Sequence, residues 1–136
     1  MRIIIAGAGA VGRHLAKLLS NEDMDISLID ERQDRLGDLD ASYDLLTKVG
    51  SPMSIHDLKS IGVKDVDLFI AVTPSESDNI TACLLANRLG AKKTLARIDN
   101  YEYLIDCSIG NAENKDFVID ENLSDRCCVL HFFDAP

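Results

Sequence analysis

A chain of 136 residues suffices for one compact domain with its own hydrophobic core and leaves no room for a second of ordinary size. Its formal charge of −9 argues against nucleic-acid backbones and anionic membrane surfaces, but not against a nucleotide, which needs only a local positive field. The four cysteines lack C-x-x-C spacing and the three histidines are scattered, so neither a disulfide framework nor a metal centre is expected.

The opening residues set the pattern. Ile3 to Ala6 is a strand-length apolar run followed at once by glycines, which is not a signal peptide, and no run approaches a membrane span. A soluble, cytoplasmic protein is expected. Gly7-Ala8-Gly9-Ala10-Val11-Gly12 then leads into a helical pattern through His14, Leu15, Leu18 and Leu19. A second strand, Ile26 to Ile29, ends at Asp30. Glycines in a G-x-G-x-x-G string are a weak signal alone. Between a strand and a helix, with an acid about 20 residues on, they match a dinucleotide-binding turn. Gly7 allows the tight turn, Gly9 lets a pyrophosphate approach the main chain, and Gly12 lets the helix lie close to the strand. The free N–H groups of the helix start favour an anion, and Asp30 is placed for ribose hydroxyls. The alternative is a glycine-rich turn that binds nothing.

Farther along, Glu31 to Leu39 reads as a charged surface helix with Leu36 and Leu39 at helical spacing. Arg32 there either meets a phosphate on the adenine ribose or faces solvent. Solvent is favoured, because Asp30 would repel a 2′-phosphate. Tyr43 to Val49 is a third strand ending at Gly50. Ser51-Pro52 has the signature of a helix cap and first turn, for a helix through Ile55, Leu58 and Ile61 closed by Gly62. Val66 to Thr73 is a fourth strand, apolar at its centre as buried parallel strands are. After the loop from Pro74 to Asp78, a helix through Ile80, Cys83, Leu84, Leu85 and Leu89 stops at Gly90, with Cys83 a small core residue. Thr94 to Ile98 is a fifth strand. Beyond it, Asn100 to Ser108 is expected to be a short helix and Phe117 to Ile119 a sixth strand. The apolar run Cys127 to Phe133 is too short to classify by period.

Alternating strands and helices predict an α/β fold: a Rossmann-like, doubly wound parallel sheet in a single domain over 1–120, followed by a C-terminal tail over 121–136 without a clear pattern. In such a sheet the ligand lies outside the carboxyl ends of the strands. That gathers Gly7 to Gly12, Asp30 with Glu31, Gly50, Ser51, Pro52, Thr73, Pro74 and Arg97 around one crevice. Ser51 and Pro52 would border the adenine, and Thr73 and Pro74 the distal phosphate or second ribose. Arg97, near the end of an otherwise apolar strand, needs a partner. A ligand phosphate and a carboxylate such as Asp99, Asp120 or Glu121 are both open. No Tyr-x-x-x-Lys spacing or Ser/His/Asp grouping supplies a catalyst, which favours sensing over turnover. The competing reading is a small NAD(P)-dependent oxidoreductase or a fragment of one.

These motifs in register resemble the N-terminal nucleotide-binding domain of Trk-type (TrkA-like) potassium-uptake regulatory subunits, the RCK/KTN family. The resemblance covers Met1 to Leu104 and rests on Ile4 to Gly12, Ile29-Asp30 with Arg35-Leu36, and Val49-Gly50-Ser51. It continues through Ala71 to Pro74 with Asn79, then Ala96-Arg97-Ile98 with Tyr103-Leu104. It implies a non-enzymatic domain that binds NAD+/NADH, or ATP/ADP, with residues Gly7, Ala8, Gly9, Ala10, Val11, Gly12, Asp30, Glu31, Gly50, Ser51, Pro52, Thr73, Pro74 and Arg97 holding the cofactor. Asp30 carries over as the ribose ligand and Arg97 as a phosphate contact, whereas Asn79 is a structural helix-start residue. The resemblance also implies a homo-oligomer, dimer or tetramer, reporting to a membrane potassium channel or transporter from the inner face of the cell membrane, without inserting. Leu123 to Pro136 does not resemble the family's dimer-crossing helix.

Overall fold

The computed structural model describes residues 1–37, 39–99, 117–120 and 127–132. Five parallel strands form its centre: β1 (Arg2–Ala6), β2 (Asp25–Asp30), β3 (Leu45–Val49), β4 (Leu68–Ala71) and β5 (Lys93–Arg97). Their connections carry α1 (Ala10–Ser20), α2 (Gln33–Leu36), α3 (Leu39–Ser42), α4 (Ile55–Ser60) and α5 (Glu76–Arg88). The sheet order is β3-β2-β1-β4-β5, extended by β7 (Cys127–Phe132) and β6 (Phe117–Asp120). The chain winds outward from β1 to β3, then crosses back to β4 on the other side of β1. That reversal opens a crevice at the carboxyl ends of β1 and β4.

Strand periodicity builds two cores from one sheet. Ile4, Ala6, Phe69 and Ala71 face one side, where Leu58 of α4 and Ala82, Cys83 and Ala86 of α5 pack on them. Ile3, Ile5, Leu28 and Ile70 face the other, against Ala16 of α1, Leu36 of α2 and Leu39 of α3. The central strand is therefore apolar at consecutive positions, because both its faces are covered. The close approach of α1 to β1 requires Gly12: a Cβ there would overlap the Gly7 carbonyl oxygen.

Two expectations are corrected. Glu31 to Leu39 is not one helix, because α2 ends at Leu36 and Gly37, at φ +46°, turns the chain before α3 begins at Leu39. Gly37 adopts that left-handed backbone without the steric cost a side chain would add. Ser51-Pro52 does not start a helix. The cap of α4 is Ser54, whose Oγ accepts from the Asp57 amide at 3.2 Å. The five strands expected to be parallel are so, and an antiparallel pair extends the sheet at one edge. β7 lies antiparallel to both β5 and β6, pairing Leu95 with Val129 and Ile119 with Leu130. Phe117 to Asp120 forms the sixth strand, and the unclassified run Cys127 to Phe132 is the seventh. The helix expected over Asn100 to Ser108 lies outside the described residues.

Candidate functional site

The crevice holds a cleft of about 200 Å³ at the carboxyl ends of β1, β2, β3 and β4. Gly7, Asp30, Glu31, Pro52, Thr73 and Pro74 line it, as do Ile29, Arg32, Arg35, Met53, Ser75 and Asp78. Gly7, at φ +108°, turns the chain out of β1; a Cβ there would lie 3.0 Å from the Thr73 nitrogen. At Gly9 a Cβ would meet nothing within 4 Å, so the main chain faces open space. Gly9 is also the N-cap of α1, with no side-chain cap and no acid in the first turn. The longer of the other helices, α5, is capped by Ser75 and has Glu76 and Asp78 in its first turn. The start of α1 thus keeps the positive potential that α5 offsets with its own residues.

Asp30 sits at the end of β2 with 6% exposure. Its Oδ2 accepts from the Ala8 amide at 2.8 Å and its Oδ1 from the Arg32 amide at 2.7 Å. Arg35 approaches Oδ2 at 3.6 Å. The carboxylate is thereby fixed to the glycine turn. An ionised carboxylate offers about four acceptor positions, so two amide hydrogen bonds leave room for ligand hydroxyls. Arg32 pairs with Asp34 at 2.7 Å in an exposed contact, and that hydrogen bond holds Asp34 below the ordinary carboxylate value. Its side chain therefore meets a carboxylate of its own element while also bordering the cleft.

The fourth wall is braced from behind. Buried Asn79 accepts from the Thr73 amide at 2.9 Å and from the Thr73 hydroxyl at 2.6 Å. Its own amide donates to the carbonyl oxygens of Thr73 at 3.0 Å and Arg97 at 2.9 Å. It ties the ends of β4 and β5 to α5, and its polar atoms are spent on that task. Arg97 itself does not line the cleft. Its Nε lies 3.4 Å from Asp99, the carboxylate alternative.

Ala8, Gly9, Ala10, Val11 and Gly12 form the turn and helix start beside the cleft rather than its lining, and Gly50 and Ser51 stand behind Pro52 and Met53. Ile29, Met53, Ser75 and Asp78 are cleft residues that sequence reasoning did not select as site residues, and Arg35 entered there only within the family motif. Met53 carried a signal, since it adjoins Pro52 in the turn after β3. Asp78 carried none, because acids are common in first helical turns. Among the described residues no group of three His, Cys, Asp or Glu side chains could hold a metal, and no helix is long and apolar enough to cross a membrane. A second hollow of about 280 Å³ lies at the opposite ends of the strands, among Arg2, Asp25, Asp44 and Leu46. It lacks both a glycine turn and a helix start.

Comparison with known proteins agrees with this architecture. The chain is 45% identical over 105 residues to the Trk system potassium uptake protein TrkA of Haemophilus influenzae, a match covering 76% of this chain and 23% of that one. The chain thus spans about a quarter of the length of that relative. Among solved structures, the GsuK channel bound to NAD superposes with a TM-score of 0.66 at 21% identity, over 76% of this chain and 19% of that chain. The AMP-bound Kef C-terminal domain of Shewanella denitrificans superposes with a TM-score of 0.62 at 22% identity, over 76% of this chain and 65% of the other. These two likenesses concern the fold. The TrkA-N domain matches residues 3–112, most of the chain, and with the close sequence relative this shows that the chain belongs to the TrkA-N domain family.

Proposed function

We propose that this domain is the nucleotide-sensing part of a potassium uptake system, holding NAD+/NADH, or ATP/ADP, and gating a membrane potassium transporter through a ligand-dependent change of conformation. The observation that carries the reading is Asp30: a nearly buried carboxylate, anchored to the Ala8 amide of the glycine turn, bordering an open cleft. The open space at Gly9 and the uncapped start of α1 fit a pyrophosphate or phosphate group. Asp30 and Glu31 would take the ribose hydroxyls, Pro52 the base, and Thr73 and Pro74 the distal part of the ligand. Arg97 remains a candidate phosphate contact only if it leaves Asp99. Family membership supports the assignment to potassium uptake, and the NAD-bound and AMP-bound structures of similar fold support both ligand classes. The role is regulatory rather than catalytic. It implies a cytoplasmic homo-oligomer, held at the inner face of the membrane by its transporter.

Gating of this kind is a population shift, in which the ligand must bind two arrangements of the assembly with different affinity. Swinging an equilibrium from 1:99 to 99:1 takes about 5.5 kcal/mol of differential binding, which several subunits can share. Calorimetric titration with NADH, NAD+, ATP and ADP tests the reading. Binding of at least one, weakened about tenfold or more by Asp30→Ala, is expected; binding by none of the four overturns it.

A further inference from the structure

Beside the ribose-facing acid, the structure contains a small clamp that involves none of the motif glycines. β3 runs into Gly50, whose amide donates to the Asp30 backbone oxygen at 3.0 Å. The Ser51 amide donates to the Asp57 Oδ2 at 2.9 Å, and the Met53 amide to the Ser51 Oγ at 3.2 Å. The Asp57 backbone is itself held by the Ser54 cap of α4. The clamp leaves no room at Gly50, where a Cβ would lie 2.9 Å from the Asp57 carboxylate. Asp57 does not reach the cleft, but the two residues it holds in place, Pro52 and Met53, form the cleft wall after β3.

The order of the strands says which part of a nucleotide meets that wall. Reading across the sheet from β1 to β2 to β3, the glycine turn comes first, Asp30 second and the Pro52–Met53 turn third. A nucleotide with phosphate at the first and ribose at the second presents its base to the third. Pro52 is a rigid apolar ring, and Met53 is an adaptable, polarisable side chain. Together they suit the broad, flat face of a purine better than the smaller pyrimidine ring. We propose that Asp57 is a positioning residue which, through the Ser51 amide, sets the Pro52–Met53 wall and so makes the cleft selective for a purine base over a pyrimidine. The proposal rests on the nucleotide-binding reading above and adds to it the determinant of base preference.

The test is calorimetry of the full chain with AMP and with UMP, for the wild type, Asp57→Ala, Asp57→Asn and Gly50→Ala. The wild type is expected to prefer AMP. Asp57→Ala should weaken AMP about tenfold, the scale of ordering a loosened side chain on binding, and leave UMP unchanged, so that the preference collapses. Asp57→Asn keeps an oxygen for the Ser51 amide and should restore the preference to within about threefold. Gly50→Ala, whose Cβ displaces the same carboxylate, should behave like Asp57→Ala and provides the reading if Asp57→Ala does not fold. An unchanged AMP-to-UMP ratio, including an equal loss for both ligands, overturns the proposal while leaving nucleotide binding intact. Wild-type protein that binds neither AMP nor any of the four ligands above overturns the functional reading itself, and this inference with it.

Discussion

Asp30 and Asn79 are both buried polar residues near the same crevice, yet their hydrogen bonds assign them opposite tasks. Asn79 accepts from and donates to Thr73 and Arg97, which leaves it nothing for a ligand. Its truncation to Ala would strand the Thr73 amide and two carbonyl oxygens between the ends of β4 and β5. Burying unpaired polar groups costs about 1–3 kcal/mol each where water cannot enter. Asn79→Ala should therefore lower stability by about 2–4 kcal/mol, read as a reduced urea midpoint at unchanged slope. Asp30, by contrast, retains acceptor capacity toward the cleft. Charge-assisted hydrogen bonds to a ribose are worth about 1.5–3 kcal/mol, so Asp30→Ala should weaken nucleotide binding by about tenfold to a hundredfold. Equal affinity in calorimetry of the two proteins would remove Asp30 from the site.

At the scale of elements, the glycine turn shows what is legible in a sequence and what is not. Gly12 is required because α1 and β1 touch, with the Gly7 carbonyl occupying the place of a side chain. Gly12→Ala should drive the helix from the strand and cost about 3 kcal/mol, within the range for overpacked cores, measured as a lower denaturation midpoint. The central strands β1 and β4 were readable for a related reason: a strand covered on both faces must be apolar throughout, as Ile3 to Ala6 is. The segment after β2 was not. Leu36 and Leu39 both pack into one core at helical spacing, but from separate short helices, because Gly37 breaks the run between them. Ser51 and Ser54 both precede α4, and only the folded geometry shows that the Ser54 hydroxyl takes the Asp57 amide while Ser51 takes that of Met53. β7 was invisible to period alone, since its antiparallel place beside β5 is fixed by pairing rather than by local pattern. Within the site, the glycines, Asp30, Pro52 and Thr73 stood out by motif and position. Arg35 and Asp78 join them only through the way the chain folds.

For the molecule as a whole, the cleft draws on the ends of four strands of one sheet. A ligand gripping the ends of β1, β2, β3 and β4 is therefore linked to global unfolding rather than to the loosening of a single loop. Such linkage has a definite size. Nucleotide at one hundred times its dissociation constant stabilises a protein that binds it only when folded by about 2.7 kcal/mol. With the usual unfolding entropy per residue, a chain of this length should then melt about 9 °C higher. The comparison belongs at fixed salt, because the net charge of −9 opposes an anionic ligand at long range while the α1 start attracts it locally. Scanning calorimetry with NADH, NAD+, ATP and ADP in turn should rank the ligands by the shift each produces. Asp30→Ala, weakening binding about tenfold to a hundredfold, should cut the stabilisation at that ligand concentration to about 1.4 kcal/mol or less, roughly half the wild-type value at most. An undiminished shift in Asp30→Ala would mean that the nucleotide is held elsewhere, and the crevice at the sheet's reversal point would not be its site.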